Sequence, residues 1–202
     1  MDLPLIDAQP LERTDAQRNR VRILAAAARL IACSGVDCVS VDRIAAEAGV
    51  GKGTVFRRFG DRTGLIRALL SDREAALQER LIRGAPPVGP GAPAGERLLA
   101  FGPAYLAFVE ENGAILAAAE EGSRRNNAPY AFLHTHVHHL VRKSAPEADA
   151  DFAADALLAP LRADLVLHQR HVRGMALERL ADGWRELASG YATSTASARL
   201  SS

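Results

Sequence analysis

A chain of 202 residues with 48% apolar and 24% charged side chains can bury a sizeable core, which excludes an intrinsically disordered protein. No run of 18 uncharged apolar residues occurs, and the opening MDLPLIDAQPLERTD has acids and prolines where a secretory signal needs a basic start, so a cytoplasmic protein with no membrane partner is expected. The formal charge of +1 hides an asymmetry: between Glu12 and Arg83 fourteen basic side chains face nine acidic ones, a net of +5, which leaves −4 for the remainder. A basic first third and an acidic rest imply a nucleic-acid footprint at one end and a different task at the other.

Residues 1 to 14 hold Pro4 and Pro10, show no periodicity and are expected to form a flexible arm. From Ala16 the apolar residues Val21, Leu24, Ala28 and Ile31 recur at helical steps, and Gly35 follows where a left-handed cap belongs. Cys33 and Cys38, the only cysteines, exclude a disulfide framework and a four-cysteine zinc site. Ser40 is a good N-cap for a second helix carrying Val41, Ile44, Ala45 and Ala48 and closed by Gly49. A third short segment spans Lys52 to Phe59. Asp61 caps a fourth, whose apolar face runs from Leu65 through Leu77 towards Arg83.

The stretch from Gly84 to Gly95 is too rich in proline and glycine for a helix or a central strand. Beyond it one helix is expected from Leu98 to Val109 and a shorter one from Ala114 to Glu121. Pro129 opens another that runs to Ser144, and a long helix from residue 151 to 169 is interrupted by Pro160. The last helix carries Leu177, Leu180, Ala181, Trp184, Leu187, Ala188 and Tyr191 at near-heptad spacing, which leaves a strip wanting a partner. Alternating strand patterns and internal repeats are absent, so the class is all-α.

Two short helices joined through Gly49, the second of eight residues, have the spacing of a helix-turn-helix whose second helix enters the major groove. Val55 and Phe59 share the inner face of that helix, which turns Gly53, Thr54 and Arg57 outward with Phe56 and Arg58 on the flanks. Arg57 or Arg58 can donate two hydrogen bonds to a guanine edge, Thr54 can reach a phosphate or a thymine methyl, and Gly53 removes bulk at the contact. Lys52 and Arg62 are placed for phosphates.

Residues 23 to 70 closely resemble the N-terminal signature of the TetR family of regulators. The core of that signature stands here as Gly49-Val50-Gly51-Lys52-Gly53-Thr54-Val55-Phe56-Arg57-Arg58-Phe59. The resemblance covers about a quarter of the chain. It implies that Arg43 of the second helix reaches a base or phosphate and that Thr54 binds phosphate. Where the family usually has a tyrosine this chain has Phe56, which has no hydroxyl to offer, so more anchoring falls to Arg58 or Arg62.

What the resemblance implies for the whole chain is an all-α protein of about nine helices. A helix-turn-helix domain over 15–62 precedes a larger effector-binding and dimerisation domain over 63–202. The partners implied are a double-stranded DNA operator of near-palindromic sequence, a second copy of the chain and a small, largely apolar effector that releases the repressor; no cofactor is expected. The dimer interface falls on Leu161, Leu165, Leu177, Leu180, Ala181, Trp184, Leu187 and Tyr191, in agreement with the heptad reading. Candidate effector contacts are Phe101, Tyr105, Phe108, Leu116, Phe132, His136, Leu157 and Leu161.

Two rival readings stand beside this one. His134 and His138 lie four apart in the run from residue 134 to 139, a spacing that can hold a metal, with His168 and His171 as further donors, but no carboxylate completes a known metal motif. A small helical enzyme is the other rival, and no nucleophile elbow, phosphate loop or paired-carboxylate motif supports it, so no catalytic residue is assigned.

Overall fold

The structure, a computed structural model, describes residues 9–120 and 128–192. Among these residues there are eight helices of eight residues or more, one helix of a single turn, and no strand. Residues 1–8 of the expected arm and the tail from Thr193 lie outside the described residues. The chain packs as two units that divide between Ser71 and Asp72.

The first unit holds α1 (Gln9–Ser34), α2 (Val41–Ala48), α3 (Lys52–Phe59) and the start of α4 (Arg62–Arg83). α1 begins seven residues before the expected Ala16, so residues 9–14 belong to a helix. Pro10 sits in its first turn, where a missing N–H costs no intrahelical bond. The expected punctuation is present. Gly35 and Gly49 take φ of 78° and 62°. Ser40 Oγ accepts from the Arg43 amide at 3.3 Å, and Asp61 Oδ1 accepts from the Gly64 amide at 2.7 Å. At the end of α2 the Val50 amide donates to Ala45 and the Gly49 amide to Ala46, the paired bonds of a Schellman cap. Ile23, Ala26, Ala27, Ile31, Ile44, Ala45, Val55 and Leu65 form the buried core.

The second unit holds the end of α4, then α5 (Ala94–Glu120), α6 (Ala128–Ser144), α7 (Ala150–Leu158), α8 (Ala163–Leu167) and α9 (Leu177–Ala192). The expected break at Gly113 does not occur, and α5 runs through both it and Pro103. Gly113 instead makes room for α8, since a Cβ there would stand 2.5 Å from Leu167 Cδ2. Pro160 does interrupt, with a 3-10 turn at Ala159–Leu161 between α7 and α8, and a π-helical turn at His168–Val172 follows.

α5 and α9 lie antiparallel, because Gly95 meets the Ala192 carbonyl while Gly102 meets the Trp184 ring. The contact at Gly102 is so close that a Cβ would fall 2.1 Å from Trp184 Cδ2. The indole N–H donates to the Leu157 carbonyl at 3.0 Å, which fixes the ring's other edge to α7. Glu110 of α5 receives two hydrogen bonds from Arg170, at 2.8 and 3.0 Å, and Arg170 also donates to the Met175 carbonyl, so the π-helical turn is tied to the middle of α5. None of the helices over the described residues is long and apolar enough to cross a membrane.

Candidate nucleic-acid interface

α3 is amphipathic, and each residue falls where helical spacing puts it. Val55 is buried and Phe59 half-buried, whereas Lys52, Gly53, Phe56, Arg57 and Arg58 are exposed and Thr54 is half-buried. Gly53 has open space where a Cβ would stand, so a groove edge can approach the backbone there. Phe56 is 42% exposed, an uncommon position for a large apolar ring, and Lys52 Nζ lies 5.7 Å above it. Lys52 also contacts Asp42 at 2.7 Å. Both partners of that pair are exposed, where ion pairs contribute little and yield readily to a phosphate.

The arginines divide into two groups. Arg57 makes one bond to its own helix, from Nε to the Gly53 carbonyl at 3.3 Å. Arg58 has no hydrogen bond or ion pair to protein among the described residues. Arg43 and Arg62, by contrast, are engaged. Arg43 donates to the Cys38 carbonyl at 2.7 Å, and Arg62 donates to Val36 and Val39 at 2.5 and 3.0 Å. Both therefore brace the loop between α1 and α2. Arg62, read from the sequence as a phosphate contact, and Arg43, read as a base or phosphate contact, are both bonded to this loop's carbonyls here.

Sequence reasoning missed two braces of the reading head. Arg22 Nη2 donates to the Ala48 carbonyl at 2.6 Å and also reaches Gly49 O, so a cation sits at the C-terminus of α2, the end its dipole favours. Arg29 holds Glu47 through two bonds of 3.0 and 3.1 Å. Both join α1 to α2 across the turn.

In the second unit the candidate effector residues separate. Phe101, Tyr105, Phe132 and His136 come together, with Phe101 at 6.0 Å from Tyr105 and 5.7 Å from His136, and Phe132 at 6.2 Å from His136. Trp184, expected at a dimer interface, joins this cluster at 6.0 Å from Phe101. Phe108 touches it through Tyr105, whereas Leu116, Leu157 and Leu161 are buried. The dimer strip also divides. Leu161, Ala181 and Trp184 are buried within the protomer, whereas Leu165 and Leu187 are exposed and Leu177, Leu180 and Tyr191 half-buried.

The histidine run splits: the His134 and His138 rings stack with centroids 6.3 Å apart, while His136 lies elsewhere. His134 faces Asp155 at 3.4 Å and Asp151 at 3.6 Å, carboxylates that the sequence reading had not placed beside it, and Asp155 also accepts from the Tyr130 hydroxyl. His136 turns instead to the aromatic cluster, where burial above all, with the charges of Arg97 and His139, pushes its pKa down to about 4. Among the described residues no group of three or more His, Cys, Asp or Glu side chains is arranged so that it could hold a metal ion.

Residues 23–69 match the family described as "Bacterial regulatory proteins, tetR family". The chain is 45% identical over 53 residues to HTH-type transcriptional regulators of Staphylococcus aureus, strain USA300 among them; the match spans 26% of this chain and 29% of theirs. In fold it is similar to a Saccharomonospora viridis protein in complex with choline, with a TM-score of 0.67 and 20% identity, covering 84% of this chain and 95% of that one. It is also similar to the transcriptional regulator FadR of Bacillus subtilis in complex with stearoyl-CoA, with a TM-score of 0.63 and 16% identity, covering 83% and 96%. At these identities the two structures speak for the fold.

Proposed function

Because this chain belongs to the TetR family of bacterial regulatory proteins through residues 23–69, we propose that it is a transcriptional repressor that binds a near-palindromic operator as a homodimer and is released by a small-molecule effector. The observation that carries the reading is α3, whose exposed face sets Gly53, Arg57 and Arg58 beside Lys52 on a helix held by a capped turn. Arg57 and Arg58 read base edges, while Lys52 and Thr54 hold phosphates. Leu165 on α8 and Leu187 on α9 are exposed apolar side chains that a second copy would cover, and two-fold symmetry then demands a two-fold operator. The second unit takes the effector, as its fold neighbours hold choline and stearoyl-CoA.

Family membership sets aside the rival reading as a helical enzyme. Selection of a randomised duplex library on the purified protein tests the proposal. Enrichment of a near-palindrome supports it, and background enrichment by protein that is folded and dimeric overturns it.

A further inference from the structure

The second unit contains a polar atom that its apolar packing does not need. His136 Nε2 is buried and has no hydrogen-bond partner among the described residues. It stands among aromatic rings, and the helices on either side bring matching groups to it. Arg97, Phe101 and Tyr105 follow one another at four-residue steps on α5, as Phe132 and His136 do on α6, and the contact of Phe101 with His136 shows that these two faces meet. Phe101 and Trp184 are buried, while Tyr105, Phe132, His136 and Arg97 are half-buried, so the polar groups lie at the margin of an aromatic floor.

Arg97 supplies the charge. Its Nη2 donates to the Leu81 carbonyl at 3.0 Å and its Nε to the Val88 carbonyl at 3.5 Å, while Nη1 holds no protein partner among the described residues. Its guanidinium is near enough to His136 to depress the imidazole's pKa, and burial keeps that ring neutral at physiological pH. The permanent charge that acts on His136, that of Arg97, is positive. A cationic ligand would be repelled here, whereas an anion would meet two donors in a partly dry setting.

Building on the effector reading above, we propose that this face between α5 and α6 binds a small apolar or aromatic monocarboxylate, its body against Phe101, Tyr105 and Phe132 and its carboxylate accepting from Arg97 and His136. The same anion competes with the Leu81 and Val88 carbonyls for Arg97. Leu81 lies in the last turn of α4, so the ligand acts on the helix that follows the reading head in the chain.

Trp184 is the only tryptophan in the chain and belongs to this cluster, so its emission reports binding. The full-length protein is titrated with 4-phenylbutyrate and octanoate and, separately, with their primary amides. At least one acid changes the emission saturably, and its amide binds at least tenfold more weakly. Arg97→Gln and His136→Phe each weaken that acid by tenfold or more, with folding followed by circular dichroism. Equal binding of acid and amide by the unaltered protein, or no saturable response to either acid, overturns the proposal without recourse to a variant. Duplex selection by ligand-free protein is scored separately. Enrichment without any acid response sinks the ligand assignment alone, whereas an acid response without enrichment sinks the DNA-binding reading and leaves this site standing.

Discussion

Arg58 stands on the outward flank of α3 with no protein group to satisfy it among the described residues, and Arg57 is held only by a long bond to its own helix. Neither has to break a strong contact before meeting a base. Arg57→Ala and Arg58→Ala are each expected to relax sequence preference at one or two base pairs, at about 1 to 3 kcal/mol per lost bidentate contact. Repeating the duplex selection on each variant checks this, and an unchanged motif would count against base readout by that residue. His136 gives a second prediction. Its folded-state pKa, about 4, lies below the ordinary 6.5, so between these values the unfolded chain binds the proton that the folded chain refuses. Its contribution to stability is complete above about pH 6.5 and is lost progressively as the pH falls towards 4. Urea unfolding across that window should show the decline, and His136→Phe should flatten it; a variant with the same slope would refute the assignment.

The helices that the sequence revealed most clearly are those whose ends are fixed by near neighbours. Ser40, Gly49 and Asp61 act on amides or carbonyls within a few residues, so α2, α3 and the start of α4 could be read directly. The bracing by Arg22 and Arg62 spans 26 residues and the pair of Glu110 with Arg170 spans 60, and no local pattern announces such partners. Gly113 misled for the same reason, since what it accommodates is a leucine 54 positions away on α8. The heptad strip of α9 was visible as one feature, but only packing shows that Ala181 and Trp184 face inward and Leu187 outward. That division separates two variants. Trp184→Ala should destabilise the fold by about 3 to 5 kcal/mol. In the proposed homodimer, Leu187→Arg should leave the fold intact and shift the assembly from dimer to monomer in sedimentation or size-exclusion experiments; a stable dimer would move the interface elsewhere.

Across the whole molecule the charge is partitioned as the sequence is, with the basic excess in the segment that contains α1 to α4 and the acidic excess beyond it. Binding driven by that segment should release counterions, so the logarithm of the affinity should fall linearly with the logarithm of salt. With six to ten phosphate contacts per dimer, affinity would drop by about 10³ to 10⁵ between 50 and 200 mM salt. A flat salt response would mean that phosphates are not what the basic segment holds. In the second unit, Gly102→Ala should cost about 1 to 3 kcal/mol by overpacking, measurable by chemical denaturation, because the added methyl meets the Trp184 ring. A neutral result would mean that the ring can move aside. The notch at Gly102 also limits where α9 can dock. Sliding it by one helical turn, about 5.4 Å, would carry the indole to Leu98 or Leu106, both already buried to within 2% of full coverage, and would at the same time lift Ala192 off Gly95. The two glycines thus act as a two-pronged key that admits one register and rejects its neighbours, so the alignment of the long helices is decided by where side chains are missing.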